Sequence, residues 1–372
     1  MAIGRYGVND AMAVKLWARR VEFEALKASP ISPLIGSGPD AIVHRKDELS
    51  KGPGDKVSYT LFTQLTGDGV TEGQTLEGNE ESLTNYEDSI LINELMWAIR
   101  VPNGGQTIDV QRVPFNLRST GKHLLRDWYS KRLSVAFFNQ VCGNVAQTST
   151  LYTGQNSVTA PSSGRHIWGG SASTDEGLGS TDTMTVDLIM AAKETAQTVS
   201  PKVKPINPRV MNTNGGVASE SSDVLEEKYC LFLHPYQVYD LKRDMSDGQW
   251  YDISQAAMQG GMISKNAIYT GALGEIDGVI LKRADDIPLG VNSTTDAAVS
   301  STRRAVLLGA QAAAYATSKN GGETRYSWVE DTFDYNRELG ISVQSLWGMK
   351  KCIFNSVDYG TIVVSTYAAA HT

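Results

Sequence analysis

YCLFLHPYQVYDLKRDMSDGQWYDISQAAMQGGMISKNAIYTGALGEIDGVILKRADDIP, residues 229–288, is the stretch from which the fold is read. Its first five residues, 229–233, are apolar without interruption, as in a strand covered on both faces. His234 and Pro235 follow. Proline suits the first turn of a helix, where its missing N–H costs nothing, and Val238 and Leu241 continue at helical spacing. His234 reads as a residue capping that helix rather than as a ligand. A second helix is predicted near 250–259, stopped by Gly260 and Gly261. Gly271, Gly274 and Gly278 then punctuate short strands, the last starting at Val279. Their spacing fits neither a dinucleotide fingerprint nor a phosphate loop, and no helix start follows. They read as tight turns.

On the N-terminal side, residues 10–28 predict an amphipathic helix with Val14, Trp17, Val21 and Leu26 on one face and Asp10 as its cap. Glu22 and Glu24 lie beside Lys15, Arg19 and Arg20 on the polar face, which argues against a membrane-surface helix. Residues 57–65 predict a strand between the turn signals Gly52-Pro53-Gly54 and Gly67-Asp68-Gly69. Over 50–89 there are eight acids (Asp55, Asp68, Glu72, Glu77, Glu80, Glu81, Glu87, Asp88) against Lys51 and Lys56. Residues 90–101 form a strand-type run. A long helix is predicted over 119–141, with Leu124, Leu125, Trp128, Leu133, Ala136 and Phe137 as its apolar face. From 111 to 132 six bases (Arg112, Arg118, Lys122, Arg126, Lys131, Arg132) face a single acid, Asp127.

Residues 143–181 predict a long loop with a short strand near 166–168, and loops of that length are commonly functional. A helix is expected over 183–199, ended by Pro201. Pro201, Pro205 and Pro208 then make a stiff crossover, followed by a polar segment at 212–222. Residues 292–301 read as polar loop, and 304–308, 341–349 and 361–367 as strands.

The 372 residues carry 41% hydrophobic and 20% charged side chains, a globular balance with room for a large core. No apolar run reaches the roughly 18 residues a spanning helix needs. The N-terminal sequence MAIGRYGVNDAMAVKLW lacks a secretory apolar block, so a cytoplasmic site of synthesis and assembly is expected. Cys142, Cys230 and Cys352 are too few and too dispersed for a disulfide framework or a zinc site, and read as buried free thiols. Asn292-Ser293-Thr294 matches a glycosylation triplet but is incidental without secretion. The net charge of −7 disfavours general DNA binding, which rests on Lys and Arg neutralising phosphates. Among His44, His123, His166, His234 and His371 no metal-binding or catalytic spacing occurs. Glu330, Asp331 and Asp334, near Trp328, could hold a cation or act as acid and base; they read better as surface or interface charges. No catalytic, cofactor or metal residue is assigned.

Several strings share one likeness. FLHPYQVYDLKRD with IYTGALGEIDGVIL, TLEGNEESL (75–83), RVPFNLR (112–118), LLGAQAAAYAT (307–317) and the segment 326–369, beginning YSWVEDTFDYNRELG, resemble the major capsid proteins of tailed bacteriophages in the N-four-type branch. That branch shares its shell fold with herpesviruses and encapsulins. The resemblance implies an α+β phage major capsid fold. Its parts would be an N-terminal arm (1–49), an extended β-hairpin loop (50–89), a peripheral domain with a long spine helix (90–205), an axial domain (206–325) and return strands completing both cores (326–372). It implies a structural protein, not an enzyme, that self-assembles into hexamers and pentamers of an icosahedral head enclosing double-stranded DNA. The expected location is the virion. Portal, scaffold and cement or decoration proteins would be partners, DNA would be held only non-specifically, and neither membrane nor cofactor would be involved.

In such proteins a neighbour's loop crosses the spine helix. The two charge counts therefore suggest that the acidic loop of one subunit docks on the basic helix of the next. Reversing Arg118, Lys122 and Arg126 to Glu should then block shells and leave subunits folded. The alternatives are an encapsulin-like non-viral shell and a soluble enzyme using Glu330, Asp331 and Asp334.

Overall fold

The computed structural model describes residues 31–38, 41–46, 55–62, 69–73, 75, 77–78, 80, 85–102, 117–206, 227–243, 273–318 and 326–371. The helices expected over 10–28 and 250–259, the polar segment 212–222, Gly271 and most of RVPFNLR lie outside these residues.

Two mixed sheets and one long helix organise the chain. The first sheet centres on the strand Glu338–Lys351. Asn93–Pro102 runs antiparallel along one edge of it, from Glu338↔Pro102 to Trp347↔Asn93. Along the other edge lie Tyr326–Phe333 and then Ala313–Ser318, end to end. Val43–Lys46 and the short Ile35–Gly36 extend the sheet in parallel. The second sheet runs His166–Trp168, Thr361–Tyr367, Ala298–Leu308, Tyr229–Leu233, Val279–Arg283, Gly274–Ile276, with Leu289–Val291 against Ala298–Leu308.

The helix Leu117–Val141 is about 38 Å long at 1.5 Å per residue, enough to reach both sheets. Leu125, Tyr129 and Leu133 pack with Leu95, Ile341 and Val343 of the first sheet in the same core that takes Phe137, Phe138 and Val141 to Phe232, Val306 and Val363 of the second. The Tyr129 hydroxyl lies 2.8 Å from the Leu95 carbonyl and 2.9 Å from that of Val343, so the buried phenol has its polar partners. The other face of the second sheet carries Leu231, Leu233, Leu307, Ile362 and Val364 under the helices Val186–Thr198 and Pro235–Arg243. Two covered faces explain why residues 229–233 are apolar throughout, and why even Thr361, Ser365 and Thr366 are fully buried in Thr361–Tyr367, two strands along the same sheet.

The helix at Pro235 starts as expected. His234 Nδ1 accepts from the Tyr236 N–H at 3.2 Å, and Gln237 Oε1 accepts from the His234 N–H at 3.0 Å, a reciprocal cap. Burial and the nearby Arg303 lower the His234 pKa to about 4, which keeps that nitrogen free to accept. Asp277 and Gly278 form the tight turn between Gly274–Ile276 and Val279–Arg283, both with positive φ. The three cysteines are buried and free, and burial pushes Cys230 and Cys352 up to about 12.

Two expectations need correction. Residues 292–301 are not wholly loop: Asn292 N–H donates to the Ala297 carbonyl at 2.8 Å and the strand begins at Ala298. Asn292 Oδ1 accepts from the Thr294 and Thr295 N–H groups, which closes the turn without apolar residues. In the long helix Leu124 is 55% exposed, and Tyr129 is the residue at the centre of the core.

A two-stranded hairpin, Lys56–Phe62 with Asn85–Leu91, joins neither sheet. Its Val57 and Ile90 pack on Ala314, Ala316, Cys352 and Phe354. Ala313, Tyr315, Trp347 and Met349 face the long helix. The hairpin root therefore occupies the opposite face of the first sheet.

Candidate functional site

The Glu330, Asp331 and Asp334 trio does not converge. Alternation along Tyr326–Phe333 turns Glu330 inward, 3% exposed, and leaves Asp331 outward. Glu330 Oε1 accepts from Arg118 Nε (3.1 Å) and from the Trp328 indole (2.8 Å), and both its oxygens accept from Arg118 Nη2 at 2.7 Å. Asp334 sits at the hairpin tip beyond the strand and faces Arg337 at 3.4 Å. Among the described residues no cluster of His, Cys, Asp and Glu could hold a metal.

The closest approach to a catalytic constellation is His166. Its Nε2 meets Ser365 Oγ at 2.7 Å, but Asp175 approaches the same nitrogen at 3.5 Å, and Ser365 is fully buried. A triad needs the acid on the other ring nitrogen and a reachable nucleophile. These groups serve the fold instead. Asp175 accepts from Arg304 Nε (2.7 Å), the Val291 N–H (2.8 Å) and the Trp168 indole (3.0 Å), so it pins the loop of 143–181 to the second sheet. Burial alone would raise its pKa, yet Arg304, His166 and those hydrogen bonds outweigh it and hold the carboxyl below its usual range.

The basic helix face is also not what the charge count implied. Arg118 is spent on Glu330, Lys122 is only 4% exposed, and Arg126 pairs with its own neighbour Asp127 at 2.7 Å. Beside these charges an aromatic cluster forms at the helix. Trp128 stacks on Trp97 of the edge strand, centroids 5.3 Å apart and planes 11° from parallel. The Arg132 guanidinium lies 3.9 Å above the Tyr152 ring and 5.4 Å from that of Trp128. Leu124, Met96, Trp97 and Leu151 are each half exposed or more. Exposed apolar groups gathered in this way mark interaction surfaces, and Trp, Tyr and Arg are the types that dominate interface energies. Leu124 and Trp128 belong to the apolar face read from the sequence; Trp128 packs against the core, whereas Leu124 is exposed.

A family model described as phage capsid protein matches residues 5–370. The major capsid protein of Pseudomonas phage KPP25 is 26% identical over 95% of this chain and 94% of its own length. The capsid of Ralstonia phage GP4 superposes with a TM-score of 0.72 at 27% identity, covering 91% of this chain and 90% of that one. The capsid subunit of cyanophage Pam1 shares the fold, with a TM-score of 0.69 at 20% identity over 93% of this chain and 94% of that one. With both sheets, the long helix and the hairpin inside the matched span, the chain belongs to the phage capsid protein family.

Proposed function

We propose that this chain is the major capsid protein of a tailed-phage head, self-assembling into hexamers and pentamers that close an icosahedral shell around double-stranded DNA. The observation that carries this reading is the family match from residue 5 to residue 370. Residues 1–49 act as the arm, 50–89 as the extended loop, 90–205 as the peripheral domain with its long helix and 206–325 as the axial domain. Residues 326–372 complete both, with Glu338–Lys351 lying in the first sheet and Thr361–Tyr367 in the second. The acidic hairpin segment of one subunit crosses the long helix of the next. It meets the Trp97, Trp128, Arg132 and Tyr152 surface, with Lys131 and Arg132 supplying positive charge at its border. Exposed ion pairs contribute roughly 0–1 kcal/mol each, so they set register while buried area supplies affinity. Head-to-tail contacts of this kind close into rings.

Assembly takes place in the host cytoplasm, with a portal at one vertex and scaffold or cement proteins as further partners. The acidic chain confines DNA without gripping it. Sedimentation and electron imaging of the purified protein test the reading. Hollow particles of megadalton mass are expected; a monomer or small discrete oligomer at high concentration would overturn it.

A further inference from the structure

Among the described residues the hairpin is held at its root, and three positions contribute directly to the holding. Asp88 is the first. It lies within the strand Asn85–Leu91, its side chain 8% exposed, and collects four donors. The Tyr59 hydroxyl donates to Oδ2 at 2.8 Å and the Ile353 N–H to the same oxygen at 3.2 Å. Lys350 Nζ donates to Oδ1 and also to the Ser89 carbonyl at 3.1 Å, and the Ser89 N–H donates to Oδ1 at 2.7 Å. Tyr59 joins the hairpin strands, whereas Lys350 and Ile353 belong to the body, so one carboxylate ties the two together. Burial, with Cys352 and Asp88 alongside, drives the Tyr59 pKa far upward, and the phenol stays a donor.

Asn156 is the second. It comes from the long loop, is 5% exposed, and reads both backbone groups of Leu91: Oδ1 accepts from the N–H at 2.9 Å and Nδ2 donates to the carbonyl at 2.7 Å. Leu91 is the last residue of the hairpin, so its backbone dipole is gripped where the chain turns into Asn93–Pro102.

Gly348 is the third. A Cβ there would stand 2.2 Å from the Leu91 carbonyl oxygen and 3.1 Å from its carbon. Backbone is what it would meet, so the hairpin and not a flexible side chain would have to move. Ala314 and Ala316 continue this low surface on the adjacent strand, opposite Lys350 and Gly348.

We propose that Asp88, Asn156 and Gly348 form a clamp that fixes the angle at which the hairpin leaves the body, and that this angle sets the geometry between neighbouring subunits. The second half of that statement rests on the shell reading above; the first half does not. The three are positioning residues, acting through the hairpin whose strands lead into and out of residues 63–84. Two anchors at Asp88 and Leu91, three residues apart, resist rotation as one anchor could not. Lys46, whose Nζ lies 5.2 Å from the centre of the Tyr59 ring, backs the same contact from the parallel strand.

The test uses the full chain with Asp88→Asn, Asn156→Ala and Gly348→Ala, each beside wild type and beside Ile189→Val, a core change in the helix Val186–Thr198 far from the root. Hydrogen exchange over 56–62 and 85–91 reads the clamp without any shell. At least tenfold faster exchange there is expected for the three root variants, with unchanged exchange in the second sheet and no change for Ile189→Val. Imaging then reads particle diameter and yield. Root variants should give few shells or a broad spread of diameters, while Ile189→Val gives normal ones. Unaltered exchange in Asp88→Asn and Gly348→Ala removes the clamp. Loosened hairpins that still build shells of wild-type size and yield remove its role in geometry. A wild type that makes no shells defeats the functional reading instead, and leaves the exchange result standing.

Discussion

Glu330 is a carboxylate that strand alternation forces into the core, and Arg118 is what makes its burial tolerable. The pair is bidentate, with Trp328 adding a third donor, and Arg118 itself is 42% exposed. Removing the guanidinium strips a buried anion of its bidentate cationic partner. Arg118→Met should therefore destabilise the subunit by roughly 1–3 kcal/mol, seen as a lowered urea midpoint. Glu330→Gln should cost less, because the amide stays neutral beside Arg118. Arg118→Glu places two carboxylates together and should give insoluble chain, so reversal at this position reports folding and not assembly. The reversals that test the outer surface are Arg126→Glu and Lys131→Glu, which should keep the melting temperature within a few degrees and lower particle yield. Burial, reinforced by Arg304 and Lys351 and only partly opposed by Asp175, lowers the His166 pKa to about 3. The unfolded chain binds a proton near the ordinary value of about 6.5 while the native one does not. Stability should accordingly fall as pH drops from about 6.5 towards 3, and His234, at about 4, pulls in the same direction. The double variant His166→Gln, His234→Asn should flatten the decline of melting temperature with acidity over that window, Asn being a good cap in the place of His234. An unchanged slope would show that other groups govern it.

At the scale of elements, the long helix shows what was legible and what was not. Its existence and length follow from a 3.6-residue period, and the strand 229–233 announces itself by unbroken apolarity. Most of its facing followed too, since Leu125, Leu133, Ala136 and Phe137 are buried and Trp128 packs against the same core; Leu124, as apolar as Leu125, is exposed because only tertiary placement says which of the two meets the sheet. Likewise Arg118, Lys122 and Arg126 look like one basic stripe in sequence, while in space one is paired inward, one is buried and one is paired to its neighbour. Asp88, Asn156 and Gly348 act together only because the hairpin, the long loop and the strand Glu338–Lys351 come together, and the sequence had marked only Asp88, as one acid among eight. A clue did stand in LLGAQAAAYAT, where small residues at alternate positions leave room for a backbone laid on that face. Gly121 tests the helix directly. It lies buried in the second turn, and a Cβ there would sit 3.4 Å from Ile99 Cγ2, 3.6 Å from Ile341 Cδ1 and 3.8 Å from Val101 Cγ1. That is ordinary contact, so Gly121→Ala should stabilise the subunit by about 0.5–1 kcal/mol through helix propensity, measured as a higher denaturation midpoint. A lower midpoint would mean that the sheet and helix pack too tightly there to admit a methyl group.

Among the described residues the molecule builds its two main cores, one of the long helix on the sheets and one of the second sheet under its two helices, without the hairpin's far end. Phe62 and Asn85 are paired as the last rung of the hairpin, and the apolar contacts of Val57 and Ile90 all lie at its root. Residues 63–84 can thus be replaced by Asn-Gly, which closes two antiparallel strands in a type I′ turn. Nothing in either core touches the replaced segment among the described residues, so the shortened subunit should melt within a few degrees of wild type and keep its circular dichroism. If neighbours are held by that segment, the same chain should remain at subunit or small-oligomer mass where wild type forms shells. The contrast separates folding from assembly in one protein: a shortened chain that still builds full-sized particles would show that the arm and the sheet edges suffice, and a shortened chain that fails to fold would show that residues 63–84 belong to the subunit's own core.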